Sequence, residues 1–580
     1  MAIENLITDH LDLWTAAVRH KSSAGRGASS KLELTGIKKL RELILELAVR
    51  GKLVPQDPSD EPASVLLERI AAEKAQLVKE GEIKKPKALP EISEKDKPFE
   101  LPSTWSWVRL NDIADYNGRP NIEPENIKGD VWLLDLEDIE KDTSKLLYRA
   151  LYEERESKSN KSTFKCGDVL YGKLRPYLNK VIIADLDGVC TTEIVPIVPN
   201  DGLHPAYLKY LLKSPAFQSY VNSLMYGVKM PRLGTEDAIK SIHPLPPFAE
   251  QHRIVAKVDE LMALCDQLEQ RSESQLAAHQ TLVETLLATL TDSVDADELV
   301  QNWARLSTHF DTLFTTEASI DALKQTILQL AVMGKLVPQD PSDEPASALL
   351  ERIAAEKARL VKEKKIKKEK PLPAIGENEK PFVLPQGWEW TRFGTVSYQI
   401  TDGAHHTPTY ISEGVPFLSV KDISGGKLDF SNARFISYEQ HEELCKRCNP
   451  QKGDLLLTKV GTTGIPVLID TDTQFSIFVS VALIKFPISF LCGNYLSMLV
   501  SSPFVKKQSE DGTQGVGNKN LVLKTISAFT LVMPPFQEQK RIVAKVDELM
   551  TLCDQLKSRL QTSQQTQLAL AESLVEGALA

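Results

Sequence analysis

The chain has 580 residues, 42% hydrophobic, 26% charged and 7% aromatic. This excludes an extensively disordered chain, a collagen-like one and a disulfide scaffold, and at roughly 150 residues per domain it suggests three or four units. Lys plus Arg is 69 and Asp plus Glu is 79, a net charge of −10 that argues mildly against nucleic acid as partner. No stretch reaches the roughly 18 to 20 apolar residues of a membrane span. Asp9, His10 and Asp12 stand where an export signal needs an apolar run, and seven scattered cysteines fit free thiols in a reducing cytoplasm.

The N-terminal string NLITDHLDLWT (5–15) echoes RLSTHFDTLFT (305–315), and a Ser/Gly-rich loop follows at 21–30. Residues 48–80, AVRGKLVPQDPSDEPASVLLERIAAEKAQLVKE, recur at 331–363 with 30 of 33 identical. From Pro62 and Pro345 onward each copy is rich in Ala, Leu, Glu and Lys, with apolar residues at three-to-four spacing, and reads as helix. Lys- and Pro-rich linkers follow at 79–98 and 362–381.

Segment 103–245 comes next and has its counterpart at 386–533. The two are unlike in sequence. They carry 18 basic and 20 acidic residues, and 13 of each, so any DNA contact needs local basic clusters. Short β-rich runs at 131–136, 181–184, 193–198 and 480–486 alternate with Gly/Asp turns and read as α/β. Each segment has a landmark. Gly167-Asp168-Val169-Leu170-Tyr171 precedes GKLRPYLNKV, and Gly453-Asp454-Leu455-Leu456-Leu457 precedes TKVGTTGIPV.

After each unlike segment comes a second repeated block. EQHRIVAKVDELMALCDQL (250–268) recurs at 538–556 with 17 of 19 identical. Ile254, Val258, Leu261, Cys265 and Leu268 form a heptad seam, as do Ile542, Val546, Leu549, Cys553 and Leu556. A helix from about 250 to 290 is about 60 Å long. A period near 285 residues is several times too long for a stacked solenoid. The chain is a tandem duplication whose like parts make equivalent contacts and whose unlike parts do parallel jobs on different targets.

Catalytic motifs are missing. An adenine methyltransferase needs Asn, Asp or Ser before Pro-Pro-aromatic. Leu245-Pro246-Pro247-Phe248 and Met533-Pro534-Pro535-Phe536 cannot accept the hydrogen bond and read as helix-start prolines. No phosphate-cradling glycine loop occurs. Cys445-Lys446-Arg447-Cys448 is a lone pair of thiols where zinc needs four ligands.

Two variable segments, repeated helical spacers and the strings PLPPFAEQHRIVAKVDEL and MPPFQEQKRIVAKVDEL together resemble the specificity subunits of Type I restriction–modification systems. LPSTWSWVRL and LPQGWEWTRF, opening the segments, and YGVKMPRLGTEDAIKSIHPLPP, closing the first, agree with this. The resemblance implies an α+β multidomain chain with a pseudo-twofold internal repeat. Two globular α/β target recognition domains, 103–245 and 386–533, are joined by long antiparallel coiled-coil helices. The remaining parts are an N-terminal helical region with linker (1–102), a central spacer (246–385) and a C-terminal helix (534–580). It further implies double-stranded DNA as ligand, docking of two methylation subunits, addition of restriction subunits and no membrane. No cofactor belongs to this chain, since S-adenosylmethionine, ATP and magnesium go with the partners.

Sequence readout needs donors aimed at base edges and cations on phosphates. In the first domain the candidates are Lys173, Arg175, Tyr177, Asn179 and Lys180, with Lys229 and Arg232 in the closing loop. In the second they are His405, His406, Lys459, Thr462 and Thr463, with Gln514, Asn518, Lys519 and Asn520 closing. Arg175 is the leading candidate, because arginine commonly reads guanine in bidentate fashion. A phosphate clamp is its alternative. Two other readings stay open on the residues alone: a coiled-coil scaffold with two protein-binding adaptors, and a fused restriction enzyme with its own catalytic site.

Overall fold

A computed structural model describes residues 3–20, 32–80, 89–155, 158–225, 229–368, 370–515 and 519–579. The Ser/Gly-rich stretch 21–30 lies outside the described residues. The chain divides into two compact units, Met1–Gln275 with Ser563–Ala580, and Leu276–Thr562. Each holds one unlike segment and one copy of the repeated helices. The long helices Phe248–Asp292 and Phe536–Leu579 have 45 and 44 residues. The first begins in unit 1 and ends in unit 2, and the second does the reverse. No helix among the described residues is long and apolar enough to cross a membrane.

The two unlike segments share one topology. In unit 1 an antiparallel sheet runs in the order Val181–Ile183, Val169–Gly172, Ile194–Pro199, Ala114–Tyr116. In unit 2 the order is Pro466–Leu468, Leu455–Thr458, Val481–Lys485, Gln399–Asp402. A second sheet contains a parallel pair in both, Trp132–Leu134 with Gly188–Cys190 and Val415–Leu418 with Ser476–Ile477. The central strands are apolar on both faces and fully buried. The first and last strands of each segment pair with each other, Trp107 opposite Pro244 and Trp390 opposite Val532. Each segment therefore leaves and rejoins the helical frame at one place. The sequence expectation of two α/β domains and long helices in a doubled chain holds.

The repeated blocks resemble each other because they touch each other in the same way twice. Gly51 (φ +69°) and Gly334 (φ +70°) turn the chain after their helices, and a Cβ there would lie 2.5 and 2.4 Å from Pro102 and Pro385. The buried Glu250 carboxylate accepts from Trp105 Nε1 (2.9 Å) and Gln56 Nε2 (2.6 Å). Glu538 accepts from Trp388 Nε1 (3.0 Å) and Gln339 Nε2 (3.2 Å). Arg253 pairs with Asp60 and Arg541 with Asp343, each at 2.6 Å. Burial pushes both Glu carboxyls up, and the indole hydrogen bonds oppose it.

Glu250→Ala and Glu538→Ala each strand a buried indole N–H. Each is expected to cost about 1–3 kcal/mol in its own unit, read as faster amide exchange there and not in the other.

In unit 2 the heptad seam packs on a neighbouring helix of the same unit. Ile542, Val546 and Cys553 join one core with Ile320, Leu323 and Ile327 of helix Glu317–Val332. Lys324–Asp554 and Lys557–Glu317 ion pairs flank that contact. In unit 1 Arg41 of helix Thr35–Val49 bonds Asp266 (2.6 Å) and Glu269 (2.7 Å).

Candidate nucleic-acid interface

In unit 1 the loop after strand Val169–Gly172 meets the closing segment, 55 or more residues away in sequence. Leu174 forms a β-bridge with Arg232. Arg175 N–H donates to Pro231 O (2.8 Å), and Leu233 N–H donates to Lys173 O (3.0 Å). Unit 2 repeats the pattern. Val460 bridges Asn520, Gly461 N–H donates to Lys519 O (2.9 Å), and Leu521 N–H donates to Lys459 O (2.7 Å). The backbone thus equates Lys173 with Lys459, Arg175 with Gly461, and Pro231-Arg232 with Lys519-Asn520. Both members of the key pair are left-handed, Arg175 at φ +49° and Gly461 at φ +84°.

The landmark turns anchor these loops. Gly167 and Gly453 have φ +90° and +91°. The Asp168 carboxylate accepts from Arg119 Nε and Nη2, each at 2.7 Å, and Asp454 is bonded by Lys485.

The candidates of unit 1 divide into free and engaged side chains. Arg175 and Lys229 are exposed, Tyr177 is half-exposed and Lys173 is partly so. None of the Lys173, Arg175 and Lys229 side chains has a hydrogen-bond or ion-pair partner among the described residues. Arg232 is exposed but paired with Glu193 at 2.9 Å. Lys180 is drawn inward, its ammonium donating to Leu136 O (2.6 Å), and burial lowers its pKa. Asn179 is left-handed (φ +52°) and its side chain is held by Gln218 Nε2 (3.3 Å) and by Lys213 O (3.4 Å). These two side chains are thus engaged within the protein, unlike those of Arg175 and Lys229.

Unit 2 departs further from the sequence expectation. Lys459 is 6% exposed, its Nζ 3.1 Å from Asp402 Oδ2, so it is taken out of the exposed set. Asp402 also accepts from His405 Nε2 (3.0 Å) and from Arg447. His406, Thr462 and Lys519 are exposed, and Thr463 shares a hydroxyl contact with Thr513 (3.2 Å). Gln514 and Asn520 exchange backbone hydrogen bonds (2.9 and 2.8 Å), a small ladder that shapes the closing segment. Asn518 lies outside the described residues. Sequence reasoning missed Asp402 and Arg447. Arg447 was hidden inside the Cys-x-x-Cys string, whose Cys448 is buried while Cys445 Sγ lies 3.5 Å from His441 Nε2.

Two loops of one backbone design, built on one frame and carrying different side chains, match what the comparisons find. The family model for the Type I restriction modification DNA specificity domain matches residues 102–278 and 407–563. The EcoAI and EcoEI Type I specificity subunits of Escherichia coli are each 44% identical, over 100% of this chain and 100% of their own length. The chain belongs to the Type I restriction–modification specificity subunits. Subunits of this family are non-catalytic, and the catalytic activity lies in their partners. A solved chain of a type I R-M system, described as the structural basis underlying complex assembly and conformational transition, has the same fold at 20% identity. Its TM-score is 0.51, over 83% of this specificity subunit and 99% of that chain.

Proposed function

We propose that each unit reads one half of a bipartite double-stranded DNA sequence, unit 1 through 173–177 and 229–232, unit 2 through 460–463 and 519–520. The observation that carries this is the pairing of near-identical frame contacts with rewritten side chains at equivalent loop positions, Arg175 against Gly461. The repeated helices set the gap between half-sites and offer equivalent docking faces to two methylation subunits, with restriction subunits joining them. S-adenosylmethionine, ATP and magnesium belong to those partners, and a cytoplasmic location goes with this reading.

The test is footprinting and methylation sequencing with the chain assembled on its methylation partner. Exchanging 386–533 for a relative's segment is expected to change one half of the methylated sequence and leave the other half and the gap unchanged. A protein that methylates without sequence preference, or both halves changing together, overturns the reading. Inserting four residues after Leu268 is expected to alter the preferred gap, near one DNA turn or roughly 34 Å between half-site centres. An unaltered gap removes the ruler role.

A further inference from the structure

The unit 1 loop is exposed and its backbone is strained, so something must hold it in one shape. Among the described residues six non-glycine residues have left-handed φ. Four of them, Asp142 (+63°), Ser144 (+60°), Arg175 (+49°) and Asn179 (+52°), lie in two segments that touch. Such conformations are disfavoured for residues with a Cβ and persist only where the surroundings over-determine them.

Lys213, the last residue of helix Pro205–Lys213, is bonded to one of those segments and next to the other. Its ammonium donates to Asp142 O (2.7 Å), Thr143 O (3.2 Å) and Ser144 Oγ (2.8 Å). Ser144 Oγ in turn donates to Asn179 O (2.9 Å) and accepts from Val181 N–H (3.1 Å). The hydroxyl is therefore saturated, and it links the lysine to the end of the Arg175–Asn179 turn. Three protons meet three acceptors, a count that only the ammonium form satisfies. In unit 2 the equivalent position is Ser501, whose hydroxyl, among the described residues, bonds within its own helix to Ser497 O. The loop there takes its left-handed corners with Gly461 and Gly464 and needs no latch.

We propose that Lys213 is a positioning residue for DNA reading by unit 1, locking through Ser144 the turn that presents Arg175 and Tyr177. This rests on the DNA-reading assignment above. Burial, then Lys209 beside it, lowers the Lys213 pKa to about 7, with Asp142 opposing and Arg41 adding to the fall. Lys38 and Glu42, from the same helix as Arg41, also face Asp142. Above that pH the neutral amine has two protons for three acceptors. The effect on global stability has the opposite sign. Between the folded value and the unfolded lysine value of about 10.4, the unfolded chain holds more protons, so this group makes stability rise with pH.

The test uses the full chain assembled with its methylation subunits and duplexes substituted in one half-site at a time. Lys213→Met is expected to lower discrimination at the first half-site by about tenfold or more, with the second half-site and non-specific affinity unchanged. Ser144→Gly keeps the left-handed backbone without strain and removes the hydroxymethyl side chain that links Lys213 to Asn179, so it gives the same loss with less risk to folding. In the wild type, first-half discrimination is expected to fall as pH rises through about 7, while both variants stay low and flat.

Equal losses at both half-sites, intact discrimination in both variants, or a wild-type profile that follows stability upward with pH overturn the proposal. Arg175→Gly separates the two levels. If it lowers first-half discrimination and Lys213→Met and Ser144→Gly do not, only the positioning role fails. If Arg175→Gly changes neither discrimination nor affinity for any sequence, the assignment of this loop to DNA is what fails.

Discussion

Replacing Asp402 by Asn is expected to destabilise unit 2 by about 3–5 kcal/mol, the cost of leaving a buried charge without its counter-ion. Lys459 is 6% exposed and Asp402 is 3% exposed, and the ammonium lies 3.1 Å from the carboxylate. Asn offers one neutral oxygen where the carboxylate served Lys459, His405 and Arg447 together. Adding Lys459→Met to the Asn variant is expected to recover much of the loss, because a buried ion pair replaced by apolar groups is often neutral.

The pH dependence has a defined sign. Burial pushes the Asp402 carboxyl up, but hydrogen bonds from His405 and Lys459 outweigh it, so it ionises below the ordinary aspartate range. Its contribution is fully present above the unfolded value of about 3.9 and is lost as pH falls through the folded value. Wild type and variant should therefore converge in acid. Amide exchange in strand Leu455–Thr458, next to Lys459, reads this locally. A difference that is unchanged down to low pH would mean the aspartate acts through packing, not charge.

Arg175→Gly is expected to move stability and recognition in opposite directions. A side chain at φ +49° carries a strain of about 1–2 kcal/mol that glycine does not. Glycine is also the residue at the equivalent corner of unit 2, Gly461 at φ +84°. The variant should hold or gain stability while losing roughly 1–3 kcal/mol of DNA affinity. Arg175→Ala loses the same affinity and keeps most of the strain.

If Arg175 reads a base, discrimination falls at one position of the first half-site. If it clamps a phosphate, affinity falls for every sequence and the salt slope drops by about 0.9. Unchanged binding with increased stability would leave the strained arginine without a role and remove it from the interface.

Much of this was legible before any coordinates. Identity between two copies survives where both copies meet the same neighbour. Gln56 with Glu250 and Gln339 with Glu538 are such a pair of contacts, and Asp60 with Arg253 and Asp343 with Arg541 are another, which is why 48–80 and 250–268 repeat almost letter for letter. The Gly-Asp turns announced buried strands, since a left-handed glycine and a carboxylate closing the turn need those two residue types.

The sequence by itself therefore determined the duplication, the two α/β units, the long helices and the two landmark loops, while the meeting of each loop with its closing segment came with the tertiary structure. Only the tertiary structure decided which of the loop cations are free. Lys459 looks as available as Lys173 in a string of letters, yet its charge is cancelled by Asp402, 57 residues away. Arg175 and Lys229 keep no such partner among the described residues. Hydrophobic patterning and turn chemistry act over a few residues, so they can be read along the chain. The state of a charge depends on burial and on counter-ions from other strands, and those are set when the sheet closes.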